Sequence, residues 1–175
     1  IFDITREYGF SIDENLVIDK ICGRVSVQQQ MGPIRMNVPM EYPLLPIIRS
    51  FNNKEAIVSG LEQIQLIFAS EISQDSSSIG NVKFIPLFFS SKQSGEMRGN
   101  FNLNPDPNQN PFIRIFNQSD KILSARSEKT HSNGILSQMI LVSDSDFMTD
   151  EGGGRSPEIQ IFIMNAVDYL IGDRD

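Results

Sequence analysis

The spacing of apolar and polar residues changes character several times along the 175-residue chain, and each change marks an element. Residues Ile1 to Tyr8 read as the end of a helix, with Gly9 placed to take the left-handed conformation that closes it. "FSIDENLVIDKICGRVSVQQQ" alternates and is rich in β-branched residues, which predicts strands with a bend or bulge at Gly23. "MGPIRMNVPMEYPLLPIIRSF" carries Pro33, Pro39, Pro43 and Pro46. That density excludes a regular helix and most central strands, so an extended excursion or edge segment is expected. In "EQIQLIFASEI", Ile64, Leu66 and Phe68 alternate against Gln63, Gln65 and Ile67, predicting another strand. "QDSSSIGN" is a turn, and "VKFIPLFFSS" is a strand apolar on both faces, with Pro86 pointing to an edge or a bulge. From Lys92 to Asn117 the chain is polar, and "NFNLNPDPNQNPF" predicts a long loop.

The C-terminal pattern is the clearest. "QMILVSDSDF" is a short apolar strand, and "SPEIQIFIMNAVDYLIGD" is a helix with readable ends: Ser156 as N-cap, Pro157 in the first helical position, Gly172 as the closing residue. Ile159, Phe162, Ile163, Ala166, Val167, Leu170 and Ile171 follow helical spacing, so one continuous face is expected to dock on a core. Strand, glycine-bearing loop and helix in this order predict an α/β unit, in which ligands sit just beyond the carboxyl ends of the strands.

Composition narrows the function classes. A chain of this length with 39% hydrophobic residues supports one domain, taken as residues 1–175. The net charge of -7 leaves no basic stripe for nucleic acid. Cys22, the sole cysteine, sits in an alternating stretch without a histidine beside it and reads as a packing residue. With one Cys and one His, a zinc ligand set is missing, and neither metal nor cofactor is expected. No stretch approaches the roughly 18 to 20 apolar residues that span a bilayer. The chain opens on Ile1 and reads as an excised or processed segment of a longer protein.

The candidate chemistry lies where the last strand stops. Asp144 and Asp146, with Ser145 between them, present two carboxylates at i and i+2, enough to begin a Mg²⁺ or Ca²⁺ site or an acid/base pair. The plainer reading is that one Asp caps backbone N–H groups of the following turn while the other faces water. Ser145 lacks the glycine-flanked elbow of a hydrolase nucleophile. "DEGGGRS" has neither the Walker ending nor dinucleotide spacing and reads as a connector. His131 falls in a polar loop and reads as solvated. Tyr42, Phe88, Phe89 and Phe112 are candidates for a ligand wall, with packing the plainer role for each.

Two stretches taken together carry a resemblance. "ILVSDSDFMTD" followed by "IFIMNAVDYLIGDRD" resembles the C-terminal signature of the extracytoplasmic domain in GldG-like proteins, auxiliary components of uncharacterised ABC transporters linked to gliding motility. Asp144, Ser145, Asp146 and Phe147 match that family's Gly/Ser-Asp-Ser-Asp-Phe motif. Phe162, Asn165, Ala166, Val167, Leu170, Gly172 and Asp173 match its helix, with Tyr169 in the Trp place. "EYGFSIDENLVID", "YPLLP" and "SGLEQIQLIFASEI" also fit. The family's His-Pro is replaced by Glu55-Ala56, and the loop at Asn100 to Pro111 has no family counterpart.

The resemblance implies an α/β layered sheet flanked by helices, similar to class I glutamine-amidotransferase-like domains without the catalytic cysteine, and incomplete in this fragment. It implies a domain on the periplasmic side, anchored to the inner membrane by a transmembrane helix following near Asp175 and working beside an ABC permease or other transporter subunits. The expected function is a non-enzymatic accessory domain binding a protein partner or a saccharide-like ligand. Asp144, Ser145 and Asp146 would shape that face and Asn165 would support it. The alternatives are a metal-dependent hydrolase using Asp144 and Asp146, or a solute-binding module.

Overall fold

The computed structural model describes residues 2–150 and 152–172. Ile1 of the predicted helix end, the acid Glu151, the motif position Asp173 and the expected anchor beyond Asp175 lie outside the described residues. Helix α1 (Phe2–Glu7) closes on Gly9, whose φ of 81° is the left-handed value expected of it. Strands β1 (Phe10–Ile12), β2 (Asn15–Asp19), β3 (Cys22–Met31) and β4 (Ile34–Ile48) follow. β3 and β4 form a hairpin whose two-residue turn is Gly32-Pro33, with Gly32 at φ 62° as a primed turn demands. The register of this pair shifts between Cys22 and Arg24, so Gly23 sits at the predicted irregularity.

The proline-rich segment is a single long strand. β4 accommodates Pro39, Pro43 and Pro46 because, among the described residues, its long pairing is with β3; on its other side the two-residue strand β6 (Ile64–Gln65) lies opposite Ile47 and Ile48, and the Leu66 and Phe68 N–H groups donate to the Pro46 and Leu44 carbonyls. Its outer half is exposed, with Ile34 and Met36 in solvent, while Tyr42, Leu44, Leu45 and Ile48 are buried.

The main sheet has the order β11-β10-β8-β5, from β5 (Ser50–Phe51), β8 (Val82–Phe89), β10 (Ile122–Thr130) and β11 (Leu136–Val142). Pro86 of β8 falls beside a register shift against β10, the bulge its sequence predicts. Leu87 and Phe88, consecutive and both buried, give the C-terminal end of β8 two covered faces, while Lys83 is exposed. Strands β7 (Ile72–Gln74) and β9 (Ser94–Arg98) pair with β1 and β2.

Every strand pair among the described residues is antiparallel. The structure is mixed α/β, dominated by sheet, and the expected amidotransferase-like layering gains no support from it. The strand–loop–helix unit that suggested a parallel crossover leads instead from an antiparallel edge strand, β11, into the last helix. "EQIQLIFASEI" is not one strand either: it breaks after Gln65 and resumes at Ile72, because Phe68 adopts φ 52° and turns the chain.

Helix α2 (Pro157–Ile171) begins and ends where predicted, with Gly172 at φ 90°, but the Ser156 hydroxyl donates to Glu158 and makes no capping bond to a helix N–H. Ile159 and Phe162 enter the core, and the Phe162 ring meets Phe88 and Phe147 edge-on at 5.8 and 5.5 Å. The predicted apolar face is covered only in part. Val167, Leu170 and Ile171 are 51, 44 and 72% exposed. The buried Arg126 of β10 ties the helix to the sheet: its guanidinium binds Glu55 at 2.6 Å and Glu128 at 2.6 Å and lies 4.9 Å from the Tyr169 ring centre. The Tyr169 hydroxyl donates to the same Glu128.

Candidate functional site

The strand-end motif is largely committed to backbone. Asp144 is 7% exposed, and its two carboxylate oxygens accept from Ile67 N–H and Asp146 N–H, each at 2.8 Å. The first bond pins the segment after β6 to the end of β11; the second is an Asx turn. Burial pushes the Asp144 carboxyl above its usual range, with the Asp146 charge adding to the rise and the backbone donors opposing it. Ser145 and Asp146 are exposed. Asn165 lies elsewhere: its amide donates to the Ile57 and Ser59 carbonyls and fastens α2 to the 3-10 turn Ala56–Val58. Asp144 and Ser145 line a groove of about 340 Å³ against Phe162, Val167 and Leu170, and Asn165 is not among its lining residues. No cluster of three or more metal-ligating acids, histidines or cysteines occurs among the described residues.

The glycine run after the motif has a steric role. A Cβ on Gly152 would overlap the Asp146 carbonyl, so the loop folds onto its own backbone. His131 is half-buried rather than solvated: its Nε2 lies 2.8 Å from Ser137 Oγ across the β10–β11 turn. Cys22 is half-buried, and burial together with nearby Glu41 raises its thiol, which fits packing.

A larger concavity lies on another part of the molecule. A cleft of about 760 Å³ is walled by Ile12 and Leu16 from β1 and β2, Phe68 and Ser70 from the β6–β7 connection, and Phe101 and Leu103 from the loop after β9. Arg6, Asp13, Glu14 and Asn15 complete the lining. Phe68 holds its positive φ while its N–H donates to the Leu44 carbonyl and its ring packs edge-on against Tyr42 at 6.2 Å. Such a backbone is costly for a bulky side chain and persists only where the surroundings over-determine it. Tyr42 also reaches the other wall, donating its hydroxyl to the Leu103 carbonyl at 2.6 Å. It is buried at the back of the cleft, Phe88 belongs to the core, and Phe112 is partly exposed without lining the cleft.

The Asn/Pro-rich loop carrying Phe101 and Leu103 is held by successive Asx turns. Asn102 accepts from Asn104 N–H, Asn104 from Asp106 N–H and Asp106 from Asn108 N–H. The buried Asn110 amide then bridges the Asn102 and Asn104 carbonyls. The alternation that the sequence shows at "NLNPDPN" is thus a hydrogen-bonded ladder.

Behind the cleft runs an ion network. Buried Lys121 binds Glu71 and Glu96; Arg98 binds Glu96 at 2.8 Å and Asp13 at 2.7 Å; Asn15 donates to Glu96 at 2.6 Å. Hydrogen bonding from Arg98 outweighs burial and, with Asn15, Lys121 and Gln118, holds the Glu96 carboxyl at about 2. Asn15 also accepts from Glu71 N–H, and Ser70 donates to the Asn15 carbonyl. The polar groups at the cleft edge are therefore mostly spent inside the protein, and a hydroxyl-rich ligand would meet few open partners. Among the described residues, Arg6 and Glu14 form no salt bridge.

Fold and site together define a sheet-rich α/β domain with a preformed apolar cleft and an ion network behind it. The family model described as an ABC-type uncharacterized transport system matches residues 2–166, and the chain belongs to this family. Comparison with curated protein sequences finds no match. Among solved structures, the chain is similar to the mmIFT52 N-terminal domain, with a TM-score of 0.56 and 8% identity over 99% of this chain. That likeness concerns fold alone. The chain spans 58% of that solved chain's length.

Proposed function

We propose that this is a non-enzymatic accessory domain that binds a polypeptide partner within an ABC-type transport system. The observation that carries the reading is the family match over residues 2–166. Three further parts of the proposal come from the GldG-like resemblance: an extracytoplasmic location, anchoring to the inner membrane by a segment beyond the domain, and a link to gliding motility. An amidotransferase-like completion of the sheet by further chain belongs to the same expectation.

The use of Asp144 supports a binding role over hydrolysis. Asp144 is buried and each of its oxygens already accepts a backbone N–H, which leaves it little open to a metal or a substrate. The commitment of Asn15, Ser70 and Asp13 favours a protein over a saccharide. The test is affinity capture of the full-length protein from its native membranes, with every recovered polypeptide identified. The proposal expects a permease or ATPase subunit of an ABC transporter in stoichiometric amount. Recovery without any transporter subunit, under conditions that keep the transporter itself assembled, would refute it.

A further inference from the structure

We infer that the cleft walled by Phe68, Phe101 and Leu103 is a docking site for an apolar peptide segment that carries one carboxylate. The inference rests on the partner-binding reading and names the surface and the chemistry of the partner.

Three observations lead to it. The first is apolar exposure: Phe68, Phe101 and Leu103 are 38, 45 and 47% exposed and converge on one concavity of about 760 Å³. Contiguous apolar surface of this kind is a mark of an interaction site. The second is rigidity. Phe68 is fixed in a left-handed backbone conformation, the loop of Phe101 is braced by its Asx ladder, and Tyr42 touches both walls. A surface ordered beforehand loses little conformational freedom on binding.

The third is charge. Asp13 on the rim is neutralised by Arg98, and Asn15 is spent on Glu96 and Glu71. Arg6 forms no salt bridge among the described residues, although its charge, after the hydrogen bonds from Ser77, helps lower the Asp75 carboxyl. It stands at the rim of an apolar cleft, where a single carboxylate finds a partner within reach. Glu14, exposed on the same rim, would repel a segment with several acids. Apolar anchors with one acid are the complement of this surface. The hydroxyls of a saccharide would compete for groups already bonded.

The probe is a fluorescently labelled pentapeptide alternating leucine and phenylalanine around a central aspartate, compared with its central-lysine counterpart. Fluorescence anisotropy is expected to show the aspartate peptide binding about tenfold more tightly. Phe101→Ser should weaken both peptides by about tenfold or more, and Arg6→Gln should abolish the difference between them. Both residues are exposed, and unchanged melting temperatures would show that both variants fold.

Equal affinity of the two peptides, or affinities untouched by Phe101→Ser, would overturn the proposal. Loss of binding on Val167→Asp instead would place the site on α2 and overturn it as well. Sedimentation with phosphatidylcholine–phosphatidylglycerol vesicles gives the remaining arm: vesicle binding lost in Phe101→Ser, without peptide binding, would make the cleft a lipid site. Transporter subunits still captured by a full-length Phe101→Ser protein would leave the accessory-domain reading standing while the cleft assignment falls.

Discussion

Single side chains decide how the strand-end motif works. Asp144 is buried with both oxygens on backbone donors, so its replacement by Asn supplies one acceptor and turns an amide N–H₂ toward the other N–H. We expect Asp144→Asn to lose about 1–3 kcal/mol in denaturant unfolding, whereas Asp146→Asn, exposed, should change stability by less than about 0.5 kcal/mol. The raised Asp144 pKa has a definite sign: this carboxylate binds a proton more readily folded than unfolded, so its ionisation above that range opposes the fold. Gly152 illustrates a different constraint. A Cβ there overlaps the Asp146 carbonyl, and Gly152→Ala should destabilise by about 1–3 kcal/mol although the new side chain is small and apolar. The sequence shows three glycines and leaves open why; the answer is loop packing onto its own backbone.

At the scale of elements, legibility tracks how closely burial follows polarity. Helix α2 was readable because caps and period agree, and its inner face behaves as expected. Phe162→Ala should cost about 3–5 kcal/mol in urea unfolding, and Val167→Ala, half in solvent, less than about 0.5 kcal/mol. β10 was not readable. Its sequence "ILSARSEKT" buries Ser124, Arg126 and Ser127, so a strand covered by β8 and β11 carries the polarity of a loop. Arg126 is tolerated inside because Glu128, two residues on in the same strand, and the distant Glu55 neutralise it, and no local pattern announces the Glu55 partner. β9, "SGEMR", is short and holds the network residue Glu96. The break at Phe68 was invisible for the same reason in reverse: the alternation of Ile64, Leu66 and Phe68 is perfect, and a positive φ leaves no trace in composition. Two walls of the cleft were therefore missed. Phe101 and Leu103, apolar residues between asparagines in a polar loop, were the one available signal.

For the whole molecule, two ion networks link elements distant in sequence, and both should report through acid stability. Hydrogen bonds to Arg98 lead in holding Glu96 at about 2. Burial pushes Glu128 the other way, but donors from Tyr169, Lys83 and Arg126 outweigh it and bring it to about 2 as well. Both depressed carboxyls contribute stability that is complete above the ordinary Glu value near 4.5 and lost as pH falls toward 2. Thermal melts between pH 7 and 2 should therefore decline steeply below about pH 5, and Glu96→Gln should flatten part of that decline while lowering the plateau. A decline of the same size in the variant would remove Glu96 from the account.

The proposed hold of this domain on a polypeptide of an ABC-type system is open to photocrosslinking in the producing cell from a benzophenone side chain placed at Phe101, with a second position at Val167. We expect a single adduct from Phe101 that contains a transporter subunit, with the crosslinked segment apolar and bearing one acid. The absence of any transporter adduct from both positions, with the protein folded and abundant, would contradict it.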